Sequence, residues 1–382
     1  MKIALNNAKL PDGGDGSLYF ENGLICESKD VSSPNYDAEV YYLKGNMVCP
    51  GFVDEHMHGM HGINVNDATV DDFIELSRRA PQYGTTALLP TTVACSADEL
   101  RRVILNFREA LPQCRGAQLL GINMESNFIN PEARGAQPAK YIYTPDSEEA
   151  GPIIRLIEQN ADVVRLITVA PEMPGALELI ARLVQAGITV SLGHTAATYE
   201  QGVAGVKAGA TRGTHTFNAM TAIHHREPGI IPALTEFDTD LEVVCDGHHV
   251  DSAIVRMLYQ LVDCGRIIAI TDSLSCAGGE DGAQGVLGGQ PYTVKSGVAR
   301  LDENNKIAGS MATMDCAFRF LIQGVGLDTE GALCLTSANP AGSLGLHAGS
   351  LNQGYLADVV VLDDELQVMM TFVGGELVYQ RE

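Results

Sequence analysis

From Pro50 onward the chain repeats one pattern: a short apolar run that reads as a strand, then an amphipathic stretch that reads as a helix. Val53–His58 is followed by a helical period over Val70–Gln82, and Gly84–Pro90 by one over Ala97–Leu111. Ala117–Glu125 precedes a loop and a helix near Ser147–Asn160; Val163–Ala170 precedes Ala176–Ala186; Ile188–His194 precedes Thr198–Ala208. Thr211–His215 leads into an irregular segment containing Gly and Pro. Val243–Asp246 leads into a helix over Ser252–Cys264, and Arg266–Asp272 closes the series. Eight strand candidates with helices mostly between them predict an α/β fold of the (β/α)8, TIM-like kind. An open doubly wound sheet is the competitor, weakened by the lack of a Gly-x-Gly-x-x-Gly turn after any strand.

Both ends depart from this rhythm. Lys2–Leu10, Ser17–Ser28 and Val40–Leu43 read as strands, set apart by turns at Pro11–Gly16 and Ser32–Asn35. Ala357–Leu362, Val368–Val373 and Glu376–Gln380 read as strands at the other end. The expected division is a small β-sandwich domain built from 1–48 and 346–382, flanking a catalytic barrel over 49–345. Within the barrel, 278–308 is Gly-rich and predicts a β insertion near the mouth, with strands at Tyr292–Lys295 and Gly297–Leu301 and a turn at Asp302–Asn305. Helices resume over Met314–Val325 and Thr329–Ala338.

Composition narrows the partners. A length of 382 residues with 45% hydrophobic and 19% charged residues is enough for a sizeable core. The net charge of −23, with no basic block, argues against nucleic acid and against anionic membrane surfaces. It leaves room for a small anionic substrate, because one arginine or one helix N-terminus can hold a phosphate. Nine scattered cysteines without a Cys-x-x-Cys pair predict reduced thiols and a cytoplasmic setting. The first residues form no signal-peptide core, and no apolar run has the length of a membrane helix.

Candidate chemistry collects at the ends of the strand candidates. His56 and His58 alternate onto one face, about 7 Å apart by the strand rise, and can converge on one metal ion. Glu125 ends the third strand, His194 the fifth, His215 the sixth and Asp272 the eighth; Asp246 and His249 follow the seventh. In a barrel these ends meet at one mouth. Imidazole and carboxylate without cysteine suit a catalytic divalent metal such as Zn, Fe, Mn or Co. Asp272 is then placed to take a proton from water and pass it to a leaving group.

The His56-x-His58 pair with His194, His215 and Asp272 resembles the amidohydrolase superfamily. Strand four ends Val169-Ala170-Pro171-Glu172, without the bridging lysine of some of its branches. Glu125 instead looks like the ligand of the N-acetylglucosamine-6-phosphate deacetylases. His215–Met220, His224–Gly229 and Asp246–Asp251 also resemble segments of that family. The resemblance implies that Glu125, His194 and His215 hold a main metal, and that His56, His58 and Asp272 join Glu125 around a second, giving one or two ions per chain. It implies substrate contacts from Ala136, Gln137, Ile307, Ala308 and Gly309, and a sugar phosphate held by Asn218, Ala219, Arg226 and His249. It also implies a homodimer, with His224 and His225 able to reach across the interface. The activity it implies is hydrolysis of the acetamide of N-acetylglucosamine 6-phosphate, with the galacto epimer or another N-acyl amino compound as the alternative, and a silent sugar-phosphate sensor as the reading from another class. Two departures bear on the substrate. Ser126-Asn127 stands where the family has Gly-Pro, and Gln137 where some members have a histidine that polarises the acetyl carbonyl.

Overall fold

The computed structural model describes residues 2–26 and 38–382. The end of the expected Ser17–Ser28 strand and the Ser32–Asn35 turn lie outside these residues.

The alternating pattern folds as expected. Phe52–Met57, Thr85–Thr92, Ile122–Met124, Val164–Val169, Thr189–Leu192, Arg212–Gly213, Asp240–Val244 and Ile267–Ile270 follow one another around a parallel sheet. The ring closes where the first and eighth strands end. Asp272 N–H donates to the His56 carbonyl and His58 N–H to the Ser273 carbonyl, both at 2.8 Å. The strands are buried on both faces, which is why they read as unbroken apolar runs. Helices between them start at local signals. Thr69 with Asp72, Ser96 with Glu99 and Thr198 with Gln201 form reciprocal caps that satisfy the first free N–H groups.

Strands from both ends of the chain join one eight-stranded sheet. Met47–Pro50 pairs antiparallel with Val359–Leu362, so the N- and C-terminal segments are neighbours in the ladder. Ile3, Leu5, Phe20, Val48, Val361 and Phe372 form its apolar core. The expected single strand over Ser17–Ser28 is instead a hairpin, Asp15–Glu21 against Leu24–Cys26. Its turn is Asn22-Gly23, both at positive φ, the geometry that two-residue hairpins favour.

The insertion has three antiparallel strands rather than two: Gln284–Leu287, Gln290–Lys295 and Val298–Leu301. Tyr292, Val294, Leu301 and Ala308 pack with Val93 and Leu274, which follow the second and eighth barrel strands. The little sheet is thereby fixed beside the C-terminal ends of the strands. Met314–Val325 and Thr329–Ala338 are helical as expected, but each widens from an α-helical start (Met314–Arg319, Thr329–Leu333) into a π-helical second half.

Candidate metal centre at the barrel mouth

Six side chains expected from the sequence meet at one point. The Nε2 atoms of His194 and His215 each lie 2.7 Å from Glu125 Oε1 and 3.1 Å from each other. His58 Nε2 lies 3.3 Å from Glu125 Oε2 and 3.2 Å from Asp272 Oδ1. His56 Nε2 lies 3.8 Å from Glu125 Oε1 and 3.6 Å from Asp272 Oδ1. Glu125 thus belongs to two groups of ligand atoms: Glu125, His194 and His215, and His56, His58 and Glu125. Asp272 stands against the second group.

Backbone conformation aims three of these residues. His194, His215 and Asp272 have φ of 46°, 29° and 49°, in the left-handed region that costs a non-glycine residue roughly 1–3 kcal/mol. Each ends its strand with a sharp turn of direction. The backbone clamps them there: Asn130 N–H donates to the His194 carbonyl at 2.9 Å, Asn218 N–H to the His215 carbonyl at 2.9 Å, and Ser310 N–H to the Asp272 carbonyl at 2.7 Å.

The outer ring nitrogens are held too. His58 Nδ1 lies 3.1 Å from the Thr91 carbonyl and His194 Nδ1 2.8 Å from the Ala133 carbonyl, so each donates there and turns Nε2 inward as an acceptor. His56 Nδ1 lies 3.2 Å from a carboxylate, Glu242 Oε2.

Charge at the centre is strongly coupled. Burial alone would raise the Glu125 carboxyl, but the charge of His194 and hydrogen bonds from His194, His215 and His58 hold it well below the usual range. Burial opposes a charge on His58, yet Asp272 and Glu125 push it up to about 10; His215, also buried, is pushed up to about 9 by Glu125. These are imidazoles packed against carboxylates in a dry site, where a cation is favoured at the ring nitrogens. A divalent ion fits this donor set. His56 Nε2 is completely buried, has no hydrogen-bond partner and points into the cluster.

A cavity of about 310 Å³ opens on the cluster. His58, Glu125, His194, His215 and Asp272 form its floor, and the expected Ala136, Gln137, Asn218, Ala219, His249, Ile307, Ala308 and Gly309 line its walls. Arg226 does not line it: its guanidinium is exposed and lies 2.6 Å from His225 Nε2. Glu132, Leu287 and Lys306 line the cavity and were not expected. Lys306 directly precedes the Ile307–Gly309 segment, which was the one signal for it.

The two departures after strand three are structural. Ser126 and Asn127 are buried. Ser126 donates to the Thr168 carbonyl, and Asn127 Nδ2 donates to the carbonyls of Cys95 and Tyr141, both at 2.7 Å. Asn127 thereby ties the far end of the loop Phe128–Tyr141 to the end of strand two. Gln137, on that loop, accepts from Ala94 N–H at 2.8 Å through its amide oxygen, which leaves its NH2 group donating to Glu125 Oε2.

A further set of charges was not singled out from the sequence: Glu55, Arg212 and Glu242. All three are buried, with Arg212 paired to Glu55 and 3.6 Å from Glu242 Oε1. Strict alternation would separate Glu55 from its neighbour His56. The first strand shifts register between Asp54 and Met57, and such an irregularity re-aims side chains next to sites.

The chain matches known proteins over nearly its whole length. Residues 47–378 match the amidohydrolase family. The chain is 34% identical to the N-acetylgalactosamine-6-phosphate deacetylase of Escherichia coli O157:H7, covering 95% of this chain and 94% of that one. It is 34% identical to the N-acetylglucosamine-6-phosphate deacetylase of Mus musculus, covering 96% and 90%. Among solved structures it is similar to the N-acetyl-D-glucosamine-6-phosphate deacetylase of Mycobacterium smegmatis, an aspartate-to-alanine mutant in complex with N-acetyl-D-glucosamine 6-phosphate. That likeness has a TM-score of 0.89 and 35% identity over 100% of this chain and 99% of that one. The chain therefore belongs to the amidohydrolase family, as a hydrolase of its N-acetylglucosamine-6-phosphate deacetylase group.

Proposed function

We propose that the chain hydrolyses the acetamide of N-acetylglucosamine 6-phosphate to glucosamine 6-phosphate and acetate, a step of amino-sugar breakdown. The observation that carries this reading is the meeting of His58, Glu125, His194, His215 and Asp272 on the floor of one cavity, with His56 buried directly against them. One or two divalent ions would be held there, by Glu125, His194 and His215, and by His56, His58, Glu125 and Asp272. When bound, such an ion (Zn, Fe, Mn or Co) polarises the carbonyl and lowers the pKa of water toward neutrality.

The chain's own residues carry the rest. Asp272 takes a proton from the attacking water as its oxygen bonds to the acetyl carbon. It then gives that proton to the amine nitrogen as the C–N bond breaks, which accounts for both products. Burial would raise the Asp272 carboxyl, but the hydrogen bond from His58 and the charges of His56 and His58 hold it below the usual range, so it is ionised and open to a proton. Ala136, Ile307, Ala308 and Gly309 shape the sugar site. Gln137 has one amide hydrogen on Glu125 and a second for the acetyl oxygen.

Asn218, Ala219 and His249 bind the phosphate. His249 is suited to it: burial opposes its charge, but Asp246, 2.7 Å from Nδ1, outweighs that and raises its pKa. Arg226 completes the phosphate site in a homodimer, where the exposed His224–Arg226 segment faces a second copy. The division into a small domain (1–48 with 346–382) and a barrel (49–345) belongs to the same proposal. A cytoplasmic setting is supported by the buried thiols of Cys49, Cys95 and Cys245; among the described residues no helix is long and apolar enough to cross a membrane.

A second reading keeps the chemistry and takes N-acetylgalactosamine 6-phosphate. It is favoured by the equal identity to the galacto relative and by the Ser126-Asn127 departure at the root of the loop that carries Ala136 and Gln137. Acetate release from both phosphates and from unphosphorylated N-acetylglucosamine, on protein of measured metal content, decides between them. Release from the gluco phosphate alone supports the first reading and release from the galacto phosphate alone the second. No release from metal-loaded protein refutes both.

A further inference from the structure

The four cluster histidines differ in what holds them from behind. Backbone carbonyls take the Nδ1–H of His58 and His194. His215 Nδ1 is buried without a partner. His56 alone faces a carboxylate: its Nδ1 lies 3.2 Å from Glu242 Oε2, and both side chains are fully buried. An ionised carboxylate can only accept, so the proton sits on His56 Nδ1 and the lone pair on Nε2, the atom left without a partner in the cluster.

Glu242 is itself held in place. Its Oε2 accepts from His215 N–H at 3.3 Å, and its backbone carbonyl accepts from Thr216 N–H at 2.7 Å. Its other oxygen lies 3.6 Å from Arg212 Nη1. Arg212 also pairs with Glu55, which accepts from Ser343 Oγ. Asp240 lies 3.6 Å from Arg212 Nη2 at the partly exposed edge. Within the buried core, the two carboxylates of Glu55 and Glu242 face one guanidinium. Glu242 is the one of the two that lies directly behind His56. In a dry interior a carboxylate is costly unless it is paired. A cation on the far side of the imidazole balances it, and the carboxylate in turn makes the imidazole a stronger donor.

The geometry points to Glu242, held by the His215 N–H and faced by the charge of Arg212, as the positioning residue that sets the tautomer and donor strength of His56, and so builds the second of the two metal positions. The inference rests on the reading of the cluster as a metal centre. It concerns the position of His56, His58 and Asp272, not the one of His194 and His215.

The test is metal binding, read without turnover. Apo protein is titrated with Zn or Co by calorimetry, and bound equivalents are counted by elemental analysis after dialysis at fixed free metal. Wild type is expected to bind two equivalents. Glu242→Gln keeps the shape and removes the charge. It is expected to bind the weaker equivalent 10- to 100-fold less tightly, the usual effect of losing such an outer partner, with the tighter one unchanged. In a His56→Ala background, Glu242→Gln should change metal binding no further, because Glu242 acts through His56. Equal weakening of both equivalents, or an additive effect in the double variant, would reduce Glu242 to a general structural role and overturn the inference. Wild-type affinity in Glu242→Gln would overturn it as well. If Glu242→Gln fails to fold, Arg212→Lys serves instead: it keeps the charge but loses the guanidinium fork, and the same selective loss is expected. Wild-type protein that takes up no divalent ion would sink the metal reading itself, and this inference with it.

Discussion

Gln137→Leu separates two jobs that one side chain could do. Gln137 is buried, 2% exposed, and its amide is fixed end for end: the oxygen accepts from Ala94 N–H at 2.8 Å and the NH2 donates to Glu125 Oε2. A hydrogen bond to a charged group contributes about 1.5–3 kcal/mol, and burial places this one toward the upper end. If that bond orients Glu125 as a metal ligand, its loss weakens metal binding by about 10- to 100-fold, at 1.36 kcal/mol per decade. Leucine also leaves Ala94 N–H buried without an acceptor, which costs about 1–3 kcal/mol of stability. If instead the amide acts mainly on the acetyl oxygen, leucine removes an oxyanion donor and lowers kcat by about 10²–10³ at any metal concentration. The geometry favours orientation of Glu125. We expect Gln137→Leu to lose activity at limiting metal and to regain most of its kcat at saturating metal, with KM close to wild type. The assay is acetate release over a metal titration, beside calorimetric metal affinity. A kcat deficit of a hundredfold or more that persists at saturating metal, with wild-type metal affinity, would refute the orienting role.

Asp272→Asn should lower kcat by about 10²–10⁴ while the protein keeps metal at Glu125, His194 and His215; a metal-replete variant with wild-type turnover removes Asp272 from proton transfer. Arg226→Ala should raise KM for the phosphorylated substrate by tenfold or more, as expected for a lost charge-assisted bond, and leave kcat within about twofold; an unchanged KM frees Arg226 from the phosphate site. Asp358 predicts a pH effect on stability. Burial pushes its carboxyl up to about 6, against the opposing hydrogen bonds from Gly374 N–H and Gln118. The folded state therefore binds this proton more tightly than the unfolded chain, and the stability it contributes is lost as pH rises from about 4 through about 6, by roughly 2–4 kcal/mol. In Asp358→Asn that share of the pH dependence should vanish; urea midpoints at pH 4.5 and 7 that differ as much as in wild type would contradict it.

Much of the fold was legible because a parallel barrel writes itself as buried apolar runs alternating with amphipathic helices. Val368–Val373 and Glu376–Gln380 were readable to the residue because turn glycines bound them. The Asn22-Gly23 hairpin was equally visible and was missed, since the flanking apolar residues read as one strand. Strand six is only Arg212–Gly213, and what marked it was His215 beyond its end rather than any apolar run. The cluster residues were legible by type and by place at strand ends. Their left-handed backbone was not, because nothing in His194, His215 or Asp272 favours that conformation; neighbouring backbone hydrogen bonds impose it. The Glu55–Arg212–Glu242 charges were hidden for another reason. Single charged residues within apolar strands carry no periodic signal, and only folding shows that they face one another.

The loop after strand three illustrates why site and substrate preference are hard to separate here. Asn130 N–H holds the His194 carbonyl, and the Ala133 carbonyl holds His194 Nδ1. Gln137 holds Glu125, and Gln290 from the β insertion donates to the Ala136 carbonyl at 2.6 Å. Asn127 ties the end of the same loop to Cys95. One loop therefore shapes the cavity wall at Ala136 and Gln137 and also holds Glu125 and His194, two of the proposed metal ligands. A residue change that shifts this loop to admit a different sugar must move Glu125 or His194 as well. Ser126 and Asn127, buried and hydrogen-bonded at its root, are where such a shift would be resisted. Substitutions that retune the sugar at low metal cost are then expected at Leu287, Lys306 and Ile307, which line the cavity and make no hydrogen bond to a cluster residue.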